Sequence, residues 1–271
     1  YGRRLISMYR QEHLVFLKKL KRQNRHIKIT QLLILLLFLI IWQLAADFGL
    51  INTFISSSPK NVLETIYGLM KSGDLWYHIW VTTYETIISF SLGTFLGFLI
   101  ATILWWWPFL AKVLDPYLTI LNSLPKVALG PIIIIWAGAG KGSIILMALF
   151  ISVIITIIHV YQSFVETDTH KIKLLQSWKA TKWQIYYKLI MPNSIQTIIN
   201  ALKINISMSL IGVIMGEFLV SKEGIGYLIM YGSQVFNLDL VKSGVIILGI
   251  VATIMYYIVN FIEKRCIKNK I

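Results

Sequence analysis

The chain has 271 residues, of which 56% are apolar and only 14% charged, with 26 Lys and Arg against 12 Asp and Glu. Soluble domains carry about 25% charged residues, so this chain holds roughly half the usual charge, and its mean hydropathy of +0.70 points the same way. These figures exclude a disordered chain, a soluble nucleic-acid binder with a basic patch, and most cytosolic enzymes. The single cysteine, Cys266, permits no internal disulfide. Tyr1 rather than Met opens the sequence, so the natural start is expected to lie before it.

A bilayer-crossing helix needs about 20 mostly apolar residues. Six stretches qualify, at 29–46, 86–107, 114–137, 144–164, 195–220 and 245–261. They leave no room for a separate soluble domain, and the predicted fold is all-α: a polytopic membrane protein with six transmembrane helices. Residues 1–28 read as a basic, interfacial N-terminal segment, and 29–271 as the transmembrane domain. The basic leader, apolar core and Leu44-Ala45-Ala46 also fit a secretory signal with a weak cleavage site. A 28-residue leader and a run long enough to span favour the membrane helix.

The second span carries Ser89, Gly93, Gly97 and Ala101 at successive four-residue steps. Such a stripe lets a neighbouring helix approach closely and marks a packing face. Glu85 stands at the head of this span, at an interface where water is expected to reach it. The third span is interrupted by Asn122-Ser123-Leu124-Pro125-Lys126 and again by Gly130-Pro131. Proline frees a carbonyl, which at membrane depth is tolerated beside neighbours or a cavity. Intramembrane charge is rare and expensive, so Lys126 is a candidate for lining a translocation path. Pairing with Glu217, or snorkelling, would account for it equally.

Between the third and fourth spans, Gly138-Ala139-Gly140-Lys141-Gly142-Ser143 superficially resembles a phosphate loop. Gly142 separates Lys141 from Ser143 and Ile stands at 135, so the pattern fails, and the glycines read as a turn. The fourth span aligns Ser152, Thr156, His159 and Ser163 on one face. The fifth aligns Asn205, Ser209, Gly212 and Gly216 beside Glu217. Two polar-and-small faces on different spans suggest either a shared hydrophilic route or interhelical hydrogen bonding. The candidate path is therefore Asn122, Ser123, Pro125, Lys126, Ser152, Thr156, Asn205, Ser209 and Glu217, with Gly212 and Gly216 as packing positions. His159 has no companion ligand at metal-binding spacing. Lys203, a turn or two into the fifth span, is expected to snorkel. Asn205-Ile206-Ser207 matches a glycosylation pattern but lies within a span.

Lys and Arg are distributed unevenly. Arg3, Arg4, Arg10, Lys18, Lys19, Lys21, Arg22, Arg25 and Lys28 precede the first span. Lys112, the loop lysines 171, 173, 179, 182 and 188, and Lys264, Arg265, Lys268 and Lys270 fall on the same side. Only Lys60, Lys71, Lys141, Lys222 and Lys242 lie opposite. The positive-inside rule places both termini in the cytoplasm of a multi-pass cell-membrane protein. The net charge of +14 then reads as topology and attraction to anionic lipid headgroups, without nucleic acid.

The longest loop on that side, 166–192, contains a short helix at 171–176, a turn at 177–181 and a second helix at 182–190 ending before Pro192. On composition alone it is a cationic, Trp- and Tyr-bearing segment suited to lie on headgroups. Its Leu175-Gln176-Ser177-Trp178-Lys179-Ala180-Thr181-Lys182-Trp183-Gln184 run, followed by Leu189-Ile190-Met191-Pro192, resembles the Glu-Ala-Ala loop of binding-protein-dependent ABC importer permeases. The resemblance covers about 82–265. It includes Leu114-Asp115-Pro116, Leu124-Pro125 with Pro131 and Trp136-Ala137-Gly138, and Gly216-Glu217-Phe218-Leu219 with Gly224-Ile225-Gly226-Tyr227-Leu228-Ile229. It is greatest to the nitrate/sulfonate/taurine branch, which also holds permeases for pyrimidine vitamin precursors and riboflavin.

The resemblance implies a type I importer permease without catalysis of its own. It would be paired with a second permease chain as a homodimer, two ATPase subunits that hold ATP and Mg, and an extracytoplasmic substrate-binding protein. Lys173, Leu174, Leu175, Ser177, Trp178, Lys179, Ala180, Lys182, Trp183 and Pro192 would form the ATPase-coupling surface. Substrate would be a sulfonate- or nitrate-like anion or a pyrimidine- or flavin-type vitamin precursor. The departures are Lys173-Leu174-Leu175 at the Glu-Ala-Ala positions and Lys179 at the loop glycine. They imply a partner groove of altered shape and more negative charge. The residues by themselves also admit a secondary transporter or channel acting alone, although no repeat between the two halves supports it.

Overall fold

A computed structural model describes residues 2–268, with side chains for 19–263 and 265. Of the charges that carry the predicted orientation, the side chains of Arg3, Arg4, Arg10, Lys18, Lys264, Lys268 and Lys270 lie outside the described set, as does Cys266. All regular structure among the described residues is helical. The chain divides into two compact units, Tyr1–Glu64 and Thr65–Ile271.

The first unit is dominated by α1 (Gly2–Asp47), which runs unbroken from the basic leader through the apolar run. Leu32 to Phe38 are each 45–63% exposed, the all-round apolar surface of a helix made for lipid. A short α2 (Thr53–Ser56) follows, capped by Asn52, whose side chain accepts from the Phe54 N–H at 2.9 Å. Helix α3 (Pro59–Ser72) opens on a proline at its first position, where a missing N–H costs nothing.

In the second unit α4 (Asp74–Trp106) begins eleven residues before Glu85. Then come α5 (Pro108–Ser123), a 3-10 turn (Lys126–Leu129) leading into α6 (Gly130–Ala137), and α7 (Lys141–Val165). The loop carries α8 (Thr169–Ser177) and α9 (Lys182–Ile185). A π turn (Tyr186–Ile190) joins α9 directly to α10 (Met191–Val220). The chain ends with α11 (Ile225–Gln234) and α12 (Leu238–Lys268). Among the described residues, five helices are long and apolar enough to cross a membrane, six if a bent pair counts as one span.

The bent pair is the expected third span. It turns through 93° between α5 and the 126–137 segment, so it is not one straight crossing. Leu124 is forced into the extended region (φ −62°, ψ 138°) by the proline that follows it. Pro125 supplies no N–H to continue α5.

Helix α7 packs along both α4 and α10, and these three form the centre of the unit. The small-residue stripe explains how. Ser89, Gly93, Gly97 and Ala101 are all buried. A Cβ on Gly93 would collide with the Ser152 side chain, and one on Gly97 would sit 2.5 Å from Thr156 Cβ. On the other flank, a Cβ on Gly212 would lie 2.5 Å from Ala148 Cα, and one on Gly216 3.0 Å from Ile144 Cα. At these four glycines the helices therefore approach within reach of dispersion, the main source of helix association in lipid. α11 and α12 complete the unit through a cluster of Ile206, Ile225, Ile229, Ile247, Val251 and Met255.

Candidate functional site

The expected polar faces of α7 and α10 do come together, but as a closed seam. Ser152, Asn205 and Ser209 have no exposed surface and Thr156 only 2%. Asn205 Nδ2 donates to Thr94 Oγ1 at 2.7 Å, and Thr156 Oγ1 donates to the Ser152 carbonyl at 2.9 Å. Ser152 Oγ, Ser209 Oγ and Asn205 Oδ1 are buried without a protein partner. Within this chain these residues face α4 rather than an open cleft.

Glu217 lies apart from the route expected of it. It is 1% exposed. Its Oε1 accepts from Thr82 Oγ1 at 2.6 Å and its Oε2 from the Gly226 N–H at 2.5 Å. Thr82 Oγ1 also accepts from the Ile225 N–H at 2.8 Å, and His78 Nδ1 from the Gly224 N–H at 2.9 Å. The first turn of α11 presents orphan donors and a positive dipole end. Side chains of α4 and α10 satisfy both, which explains how a buried carboxylate is tolerated. The glycines at 224 and 226 leave the room: a Cβ on Gly226 would lie 2.7 Å from Glu217 Oε2. Glu85 is a correction. It is fully buried on α4, with both carboxyl oxygens unpartnered, because α4 starts well before the apolar run that seemed to mark its head.

Lys126 does not reach Glu217. Its Nζ donates to the Asn122 carbonyl at 2.8 Å, occupying an acceptor left free at the end of α5. Asn122, Ser123 and Pro125 are exposed around it, and Lys126 is half-buried. Lys203 is also corrected. Rather than snorkelling, it forms an ion pair of 2.5 Å with Glu263 on α12, a residue only 9% exposed. At the start of α7, Lys141 pairs with Glu223 at 2.8 Å. The Lys141 ammonium, followed by the Tyr77 hydroxyl, holds the Glu223 carboxyl below the usual carboxylate range.

The 166–192 loop is built from caps. Asp168 caps α8, accepting from the His170 N–H at 2.8 Å. α9 opens with a capping box, in which Gln184 N–H donates to Thr181 Oγ1 at 3.3 Å and Thr181 N–H to Gln184 Oε1 at 2.8 Å. α8 ends with Ala180 N–H on the Leu175 carbonyl at 3.0 Å and Lys179 N–H on that of Gln176 at 2.8 Å. This is a Schellman pattern, and it puts Lys179 in the left-handed region at φ +58°. The structure thus supplies the reason a glycine suits this position, and Lys179 occupies it under strain.

The second loop helix does not stop before Pro192. Residues 182–220 run on, and the π turn, closed by the Met191 N–H on the Tyr186 carbonyl, absorbs the misfit of a proline in the first turn of α10. Asn193 Nδ2 donates to Thr167 Oγ1 at 3.3 Å and Ser194 Oγ to the Ser163 carbonyl at 3.1 Å, closing the base of the loop.

Of the expected coupling residues, Lys173, Leu174, Ser177, Trp178, Lys179, Trp183 and Pro192 are exposed, while Leu175 and Ala180 are half-buried. Leu174, Trp178, Trp183 and Tyr187 are 51%, 70%, 68% and 75% exposed, large apolar groups at one end of the helices. Lys182 is exposed as well, but its Nζ folds back onto the chain, donating to the Trp106 carbonyl and lying 5.5 and 5.2 Å from the Trp105 and Trp106 ring centres. Sequence reasoning missed Thr102, Trp105, Trp106 and Tyr186, which form this contact. The run of three tryptophans, Trp105 to Trp107, at the close of the second span was the available signal.

The family described as "Binding-protein-dependent transport system inner membrane component" matches residues 93–268. A protein of Haemophilus influenzae named "Probable ABC transporter permease protein" is 27% identical over 236 residues, covering 87% of this chain and 96% of that one. The taurine transport system permease protein TauC of Escherichia coli is 23% identical over 239 residues, covering 85% and 86%. Among solved structures, an inward-facing MetNI methionine ABC transporter aligns with a TM-score of 0.61 at 18% identity, covering 71% of this chain and 94% of that one. That likeness places the chain in the type I importer permease fold.

Proposed function

The chain belongs to the family of binding-protein-dependent transport system inner membrane components, and from that premise we propose that residues 166–192 couple it to a pair of ATPase subunits. It is a multi-pass membrane permease subunit of an ABC importer for small solutes, a transport component and not an enzyme. The reading as a transporter acting alone gives way to this membership. The observation that supports the coupling role is the exposed apolar group Leu174, Trp178, Trp183 and Tyr187 on a segment whose helices are capped at both starts. Large apolar side chains held out on rigid turns fit a protein groove, and Lys173 and Lys179 beside them favour one with negative charge.

In this reading the loop and both termini face the cytoplasm, ATP and Mg sit on the partner ATPase, and a second copy of the chain completes a homodimer. A substrate-binding protein delivers solute from the other side. ATP binding closes the ATPase pair and displaces the loops. The helices then shift between two arrangements that differ in which side the solute can reach. Asn122, Ser123 and Pro125, exposed at the 93° break, with the half-buried Lys126 beside them, are the proposed stretch of path within this chain. The buried Ser152, Thr156, Asn205 and Ser209 would join it only if the α4–α7–α10 seam opens. The substrate class is a small sulfonate- or nitrate-like anion or a pyrimidine- or flavin-type vitamin precursor, with the taurine permease relative favouring the anion.

The test is purification of the tagged chain from its native membrane. An ATPase should accompany it, with hydrolysis that rises when the substrate-binding protein and its solute are added. Solute uptake by vesicles holding this chain without any ATPase would overturn the reading.

A further inference from the structure

The loop is joined through the chain to α7 at its start and to α10 at its end, and it makes a third, non-covalent attachment to α4. Residues 182–190 continue into α10 through the π turn. The same residues also grip the last two turns of α4. Lys182 Nζ occupies the Trp106 carbonyl, one of the acceptors that a helix C-terminus leaves without an intrahelical partner. The ammonium also lies near the faces of Trp105 and Trp106, at 5.5 and 5.2 Å. The rings of Trp106 and Trp183 are 4.7 Å apart, and those of Trp105 and Tyr186 5.1 Å. One turn earlier on α4, Thr102 Oγ1 shares a hydrogen bond of 2.9 Å with the Tyr186 hydroxyl. Tyr186 is buried and reaches further in to Phe164 of α7, 5.7 Å between centres.

We propose that Lys182 is a positioning residue that locks segment 182–186 to the C-terminal end of α4, so that the two move as one body when the loop is displaced. The inference rests on the coupling role proposed above and adds to it α4 as a further helix that receives the movement. Among the expected coupling residues Lys182 was a cation facing the ATPase. Its ammonium is instead committed within the chain, where a proton donor and a positive charge on a long stem are both used. Arg keeps these properties and Met keeps only the stem. A loop tied only through the chain, to α7 and α10, would leave α4 out of the movement of the packed α4–α7–α10 group. Tied to α4 as well, it carries all three helices of that group together.

The lock is read first on the chain alone, in lipid nanodiscs, by amide hydrogen exchange. K182M should speed exchange in 103–107 and 183–186 together, and K182R should restore it. Unchanged exchange in K182M would refute the lock whether or not an ATPase binds. The movement is read next in the complex with the ATPase that co-purifies, in a Cys266→Ser background. Spin labels are placed on exposed α4 and π-turn positions through Phe95→Cys and Lys188→Cys. The inter-label distance should be the same without nucleotide and with ATP and vanadate, for Lys182 and for K182R. In K182M it should shift and broaden on nucleotide addition while hydrolysis continues. A shift in the unsubstituted complex, or none in K182M, would overturn joint movement and leave the coupling role standing. Failure to recover any ATPase would count against the coupling role instead.

Discussion

Helix α4 meets its neighbours in two ways, and the contrast separates what holds the bundle together from what moves it. Along its length it packs on α7 through Ser89, Gly93, Gly97 and Ala101, so closely that a methyl group would clash. At its C-terminal end it meets the loop through Trp105, Trp106 and Thr102, side chains that reach outward to Lys182, Trp183 and Tyr186. The first contact sets glycine backbone directly against the Ser152 and Thr156 side chains, with no room between them, and resists displacement. The second is made by long side chains around a charge, with Trp183 still 68% exposed. Close packing suits a rigid wall, and a ring-and-ammonium clamp suits a joint.

Substitutions that erase this difference should show it. The largest effect is expected from Gly212→Leu, because the first atom it adds meets the Ala148 backbone at 2.5 Å and neither helix can yield cheaply. Overpacking of this kind costs about 3 kcal/mol, measured as a fall in the thermal midpoint of the detergent-solubilised chain. Next comes Glu217→Gln, which replaces one acceptor oxygen by a donor where N–H and O–H groups converge. A loss of about 1–3 kcal/mol is expected from the unsatisfied group, with faster amide exchange confined to the first turn of α11. On the joint the sign reverses. Lys179→Gly relieves a left-handed residue at φ +58° and should raise stability by about 1 kcal/mol, read as slower exchange across 175–184. The smallest effect is set by pH. Because the Glu223 carboxyl sits below its ordinary range beside Lys141 and Tyr77, its contribution is present above the ordinary carboxylate range. It is lost as pH falls through the lowered value. Acidification should loosen 221–224 before it touches the α4–α7 seam, and exchange rates across pH would check this.

Much of this architecture is written in the amino-acid order. Apolar length gives the spans, and spacing of small residues gives the α4 packing face, because both are properties of a single helix. The caps of the loop are legible for the same reason, since Asp168, Thr181 and Gln184 act within a few residues of themselves. What was not legible depends on residues far apart in the chain. Lys203 looks free to reach water until Glu263, sixty positions on, stands beside it. Glu85 looks wet because the apolar run begins there, although the helix does not. Glu217 looks like a pore residue until the first turn of α11 is seen to claim it. Lys182 looks like a surface cation until the end of α4 supplies a carbonyl and two rings.

The central claim, that the 166–192 loop is where the motor engages this permease, is tested most directly by a photo-crosslinking amino acid at position 178, in place of the most exposed loop tryptophan. Irradiated in native membranes, it should capture a nucleotide-binding ATPase subunit, while the same probe on the lipid-exposed apolar face of α1 at Leu33 should not. Equal capture from both positions, or lipid alone at position 178, would contradict the account.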